Sequence, residues 1–135
     1  MIAFPHLNYL AIIVATLVGF ALGGLWYSPA MFARPWVAAI GKTREELGSP
    51  ARAMGIAIIT SFITALALAL MLSKVTPVTW MSGLKVGLLA GVGIYTVTAW
   101  SDSKFTGANP TVVWIGVGYR TVMMVLMSLI LAAWQ

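Results

Sequence analysis

The chain has no cysteine, one histidine and three acidic residues in 135. Without cysteine there is no disulfide and no thiol chemistry, and the redox compartment stays open. A metal site needs three or four ligands. The available ones, His6, Glu45, Glu46 and Asp102, are widely separated in sequence. Only a ring of His6 across several copies would assemble such a site, so no metal and no cofactor is expected. His6 is also the sole base for neutral pH and no serine motif accompanies it, so catalytic residues are not expected either. Glycine is plentiful but lies inside apolar runs, without the lysine or strand–turn–helix setting of a phosphate loop.

Charge is scarce as well. Only 8% of residues are charged against 61% hydrophobic, and the mean hydropathy is +0.97. A small soluble fold keeps too much surface to hide such a composition. A bilayer accommodates it, at about 20 residues per crossing of roughly 30 Å. The net charge of +5 does not indicate nucleic acid, because the basic residues are scattered at helix ends and form no single face. No Lys or Arg precedes the first apolar run, which is too long for a signal peptide core, so it reads as a mature helix.

Four spans account for the whole chain, about 8–27, 51–73, 80–101 and 111–134, as one transmembrane domain over 1–135. The expected fold is all-α, two helical hairpins, with a short interfacial helix in the first loop. Asn8 is placed to cap span one and Pro29 stops it. Phe32, Trp36, Val37 and Ile40 share a face of the interfacial helix, and Gly41 ends it. Thr43 and Glu46 have capping-box spacing. Ser49-Pro50 and Asn109-Pro110 are cap-plus-proline starts, and Lys74, Thr76 and Pro77 mark the short turn between spans two and three.

Small residues recur every four positions. Gly19 and Gly23 continue a stripe from Ala11 and Ala15. Gly83, Gly87 and Gly91 form a second, and Ala53 to Ser73 a third. Such stripes let backbones approach closely in lipid. Steps of four, three and four extend the Gly83 stripe through Tyr95, Thr98 and Asp102, giving a face that is bare at one end and polar at the other. There are more stripes than one bundle needs, which suits a homo-oligomer or a larger membrane complex.

Arg120 lies about ten residues past Pro110, roughly 15 Å deep at 1.5 Å per residue. A charge there is costly unless paired or hydrated, which makes it a candidate intramembrane site. Tyr95, Thr98 and Asp102 are its expected partners. Pinning spans three and four together and holding a ligand or ion remain alternative roles. Lys and Arg near span ends number five on the side of loops 28–50 and 102–110 and two on the other. That bias puts both loops in the cytoplasm and both termini outside.

The run Gly24-x-Trp26-Tyr27-Ser28-Pro29-x-x-Phe32-x-x-x-Trp36 resembles the N-terminal signature of the bacterial domain-of-unknown-function family 1761. Ser49-Pro50-Ala51, Phe105 and Gly118-Tyr119 follow the same pattern in the same order. The resemblance implies a small four-helix protein of the bacterial inner membrane and brings no activity with it. The resulting expectation is a non-enzymatic membrane protein, a packing or accessory subunit that self-associates. The alternative is a small-solute or ion transport unit using Arg120.

Overall fold

The computed structural model describes residues 7–41 and 50–134, which are all-helical apart from turns. The Thr43–Glu46 capping box, Ser49 and His6 lie outside the described residues. Helix α1 spans Tyr9–Trp26, α2 Ala33–Ile40 and α3 Pro50–Leu72. Helix α4 covers Trp80–Thr106 and α5 Pro110–Ala133. The four long helices α1, α3, α4 and α5 have the length and apolar composition of membrane spans.

The punctuation is local chemistry. The Asn8 side chain accepts from the Ala11 amide, and Asn109 accepts from the Thr111 amide with Pro110 opening α5. Thr79 and Ser82 cap α4 reciprocally. Gly41 and Gly107, at φ 68° and 70°, close α2 and α4 in the left-handed conformation that a residue without a Cβ tolerates. Gly107 also corrects an expected boundary. Helix α4 continues through Ser101–Thr106, where a polar loop was expected. Ser103 donates its hydroxyl to the Trp100 carbonyl at 2.6 Å. Lys104 lies over the Trp100 ring at 3.9 Å. These polar side chains are accommodated on the helix, and the loop shrinks to Gly107–Asn109.

Helix α5 is the hub, in contact with every other span. It runs antiparallel to α1. Asn8 Nδ2 donates to the Trp134 carbonyl at 3.0 Å, Tyr119 donates to the Gly19 carbonyl at 2.9 Å, and Trp26 Nε1 donates to the Ile115 carbonyl at 3.0 Å. Against α4 it packs backbone to backbone. A Cβ on Gly87 would stand 2.6 Å from the Val125 Cα, and one on Gly83 would stand 2.7 Å from the Ser128 carbonyl oxygen. Gly19 lies against Met123 and Met127, and Gly23 against Tyr119. The stripes that suggested a second copy thus have neighbours within one chain.

The middle of α4, Leu89–Thr96, is π-helical. Thr96 donates to the Gly91 carbonyl five residues back at 2.6 Å, and the Thr121 hydroxyl lies 3.3 Å from the same oxygen. A wider turn advances the sequence relative to the helix face. The side turned towards α5 therefore steps from Gly91 to Thr96 and on to the buried Ser103. This divides the single face expected to run Gly91, Tyr95, Thr98, Asp102: Gly91 is buried against α5, while Thr98 and Asp102 are exposed and line a cavity with Tyr95.

Helix α3 behaves differently along its length. Ser61, Ala65, Leu68, Ala69 and Leu72 are buried. From Ala51 to Thr60 every residue except the half-buried Ala57 is exposed. The first half of α3 therefore stands away from the bundle.

Candidate functional site

Two cavities lie side by side at the end of the bundle that carries α2 and the Gly107–Asn109 loop. The first has a volume of about 440 Å³ and sits between α1, the splayed half of α3, and α5. Gly23 and Gly24 form its floor on α1, Ala53 and Ala57 its wall on α3, and Tyr119 and Arg120 its face on α5. The second is about 450 Å³, between the α1–α2 corner, α4 and α5, with Trp36, Tyr95, Thr98 and Asp102 in its lining. Tyr27 lines both.

This arrangement divides the cluster expected from sequence. Tyr95, Thr98 and Asp102 share one cavity and Arg120 lines the other. Gly116, four residues before Arg120, suggests space for that side chain, but it lines the second cavity, on the side of Asp102. Tyr27 stands next to it, its hydroxyl 3.7 Å from where a Gly116 Cβ would be. The ring from α1 acts as a partition between Arg120 and the polar end of α4. The expected pairing of Arg120 with Asp102 and Tyr95 is corrected accordingly.

Arg120 is half-buried. Its Nη1 lies 3.7 Å from Met123 Sδ, and its guanidinium carbon 5.0 Å from the centre of the Tyr119 ring. A thioether is a weak acceptor and an aromatic face adds a modest electrostatic attraction. Neither neutralises a cation. Among the described residues no carboxylate forms an ion pair with it. The guanidinium retains donors in a fork suited to a carboxylate or phosphate.

The aromatic side chains of the sequence signature build the corner that holds both cavities. Trp26 stacks on Phe32 with ring centres 4.9 Å apart. Its indole rests on Gly118, where a Cβ would be 3.0 Å from Cζ2. Tyr27 meets Trp36 edge-on at 5.4 Å and Tyr119 at 5.7 Å. Ser28 turns the chain by donating to the Leu25 carbonyl at 2.6 Å, just before Pro29. Read from sequence, Tyr27 and Trp36 belonged to the family signature, and Trp36 also to the interfacial helix. Their role as cavity walls was missed. The signal available was their spacing of nine across a proline turn, which a hairpin between α1 and α2 closes.

The architecture defines a class: a multi-span α-helical membrane protein, one bundle built on a central last helix, with two cavities at one end. Within that class the chain belongs to the family of proteins of unknown function DUF1761, whose model matches residues 10–132. Neither a curated protein nor a solved structure matches the chain.

Proposed function

We propose that this protein is a non-enzymatic intramembrane binding unit that receives the anionic head of an amphiphile at Arg120, entering sideways from the bilayer. The observation that carries this reading is a half-buried guanidinium with no carboxylate partner among the described residues, lining a cavity that the splayed half of α3 leaves open. A membrane-embedded charge is retained where it meets a partner, water or a ligand. Between α1 and α3 the same seam continues as a groove of about 360 Å³ lined by Ile13, Leu17, Ile58, Ile59 and Phe62 with Thr16. An acyl chain fits such a lining, and the charge of the head complements Arg120.

This reading replaces the packing subunit expected from composition. That expectation rested on a surplus of small-residue stripes, and the principal glycine stripes pack against partners inside the chain. The Lys and Arg bias supports a reading in which the α2 side faces the cytoplasm of a bacterial inner membrane and both cavities open there. A cysteine in place of Gly107 should then be shielded from an impermeant thiol reagent in intact cells, and one in place of Gln135 should react. The reverse pattern would invert the assignment.

The test is native mass spectrometry of protein released from micelles holding equal amounts of phosphatidylglycerol and phosphatidylcholine. The parent should retain the anionic lipid preferentially and Arg120→Met should lose that preference. Arg52→Met, at the exposed start of α3, should keep it. Equal retention by the parent and Arg120→Met would overturn the proposal. Binding of inorganic phosphate without lipid would overturn the sideways entry.

A further inference from the structure

The second cavity has the opposite chemistry, and it is not explained by Arg120. We infer that it is a binding site for an alkylated ammonium group, as a free organic cation or as a lipid headgroup.

Asp102 is the one charged side chain among the described residues lining this cavity. No Lys or Arg shares the lining. Three aromatic residues join it, Tyr27, Trp36 and Tyr95. Two of these rings already stand at 69° to each other with centres 5.4 Å apart, an edge-on arrangement that leaves faces available. Aromatic faces attract cations through their quadrupole, and quaternary ammonium groups are recognised by such walls.

Two hydroxyls of the lining point to the same ligand charge. Thr98 directs its proton to the Ile94 carbonyl at 2.6 Å, and Ser103 directs its own to the Trp100 carbonyl at 2.6 Å. A hydroxyl that donates to its own helix presents only lone pairs elsewhere. The cavity therefore offers a carboxylate, ring faces and acceptor oxygens. That combination favours a cation over an anion. It also favours a cation with few N–H donors, because the aromatic walls cannot accept several strong hydrogen bonds. Its volume of about 450 Å³ falls within the range of roughly 300–1,000 Å³ usual for small-molecule sites.

The α4 geometry explains how a carboxylate comes to face this space. The π-helical segment at Leu89–Thr96 turns Thr96 and Ser103 towards α5. It leaves Asp102 off that packed face, on the rim of the cavity. The fold thus places Asp102 beside aromatic rings without setting it against Arg120, which lies behind Tyr27.

Choline chloride titrated calorimetrically into the full-length protein in dodecyl maltoside is the test. The neutral isostere 3,3-dimethyl-1-butanol provides the comparison of charge at constant shape. Choline should bind about tenfold or more tighter than the alcohol. Asp102→Asn and Tyr95→Leu should each weaken choline about tenfold, while Tyr95→Phe should keep it, since the ring face is what acts. Arg120→Met should leave choline binding unchanged, so failure here is separable from failure of the Arg120 proposal. Native mass spectrometry with phosphatidylcholine distinguishes the source. Asp102-dependent retention of that lipid identifies a headgroup site, and choline binding without it identifies a soluble cation. Choline binding no better than the alcohol, or binding unaffected by both Asp102→Asn and Tyr95→Leu, would overturn the inference.

Discussion

The two ends of this bundle are built on different rules. At the end where α1 begins and α5 finishes, α4 and α5 touch through backbone at Gly83 and Gly87, Asn8 bonds to Trp134, and α3 packs closely from Ser61 onward. At the other end, beyond the π-helical turn in the middle of α4, α3 stands off and aromatic rings enclose space without filling it. In lipid there is little hydrophobic drive between helices, so close backbone approach and interhelical hydrogen bonds supply the association. Glycine stripes provide that at one end. The other end is held by a few directional bonds from Trp26 and Tyr119, which tolerate cavities beside them. A rigid end and an open end let one small bundle hold cavities without a large core.

The largest expected effect comes from making the tight end impossible. Gly87→Leu puts a branched side chain where a Cβ alone would be 2.6 Å from Val125 Cα. Overpacking of this kind costs about 1–3 kcal/mol and more where backbone must move. Thermal unfolding in detergent should show a large loss or no folded protein. Gly93→Leu is the matched control one and a half turns on, because nothing lies within 4 Å of a Cβ there. It should unfold within about 0.5 kcal/mol of the parent. Equal behaviour of the two variants would erase the distinction between packed and open faces.

A smaller effect is expected where the open end is tied. Tyr119→Phe removes the bond to the Gly19 carbonyl at 2.9 Å and keeps the ring against Tyr27. The cost should be about 1 kcal/mol. An unchanged unfolding midpoint would mean that the ring contacts alone hold this corner. The smallest effect belongs to the exposed bond from Asn8 to Trp134 at 3.0 Å. Asn8→Ser preserves an N-cap and removes only that bond. It should cost no more than about 0.5 kcal/mol. A larger loss would show that the Asn8–Trp134 bond contributes more to the rigid end than an exposed hydrogen bond does.

The tight end was legible in sequence because its rules are local. An apolar run of span length, a capping Asn before Tyr9, and glycine at every fourth position each follow from helix geometry. The family signature was equally readable from Trp26 to Trp36. The open end was not, because its features depend on neighbours in space. The π-helical turn is seen with Thr96 and Thr121 meeting at the Gly91 carbonyl, thirty residues apart in the second case, and no period in the sequence records it. Continuing a regular α-helical period through that turn joined Tyr95, Thr98 and Asp102, which do share a cavity, to the face on which Gly91 packs against Thr121. Gly116 signalled space on α5, but that space belongs to the cavity of Asp102. Which ring would enter it, Tyr27 from the far end of α1, depended on tertiary packing. The splay of α3 is hidden for a related reason: Ala53 and Ala57 continue the small-residue stripe that packs closely only from Ser61 on.

The central claim is that Arg120 is held ready for a ligand and does not pin the helices together. The unfolding free energy of Arg120→Met, measured in neutral detergent without anionic amphiphile, tests this most directly. A structural cation paired in a dry site would be missed by roughly 3–5 kcal/mol. A cation whose contacts are a thioether and one ring face should be replaced at a cost within about 1 kcal/mol, or with a gain in stability. Stability equal to or above that of the parent, with anionic lipid retention lost, is the predicted result. A loss of about 3 kcal/mol or more would contradict it and return Arg120 to the role of a structural pin.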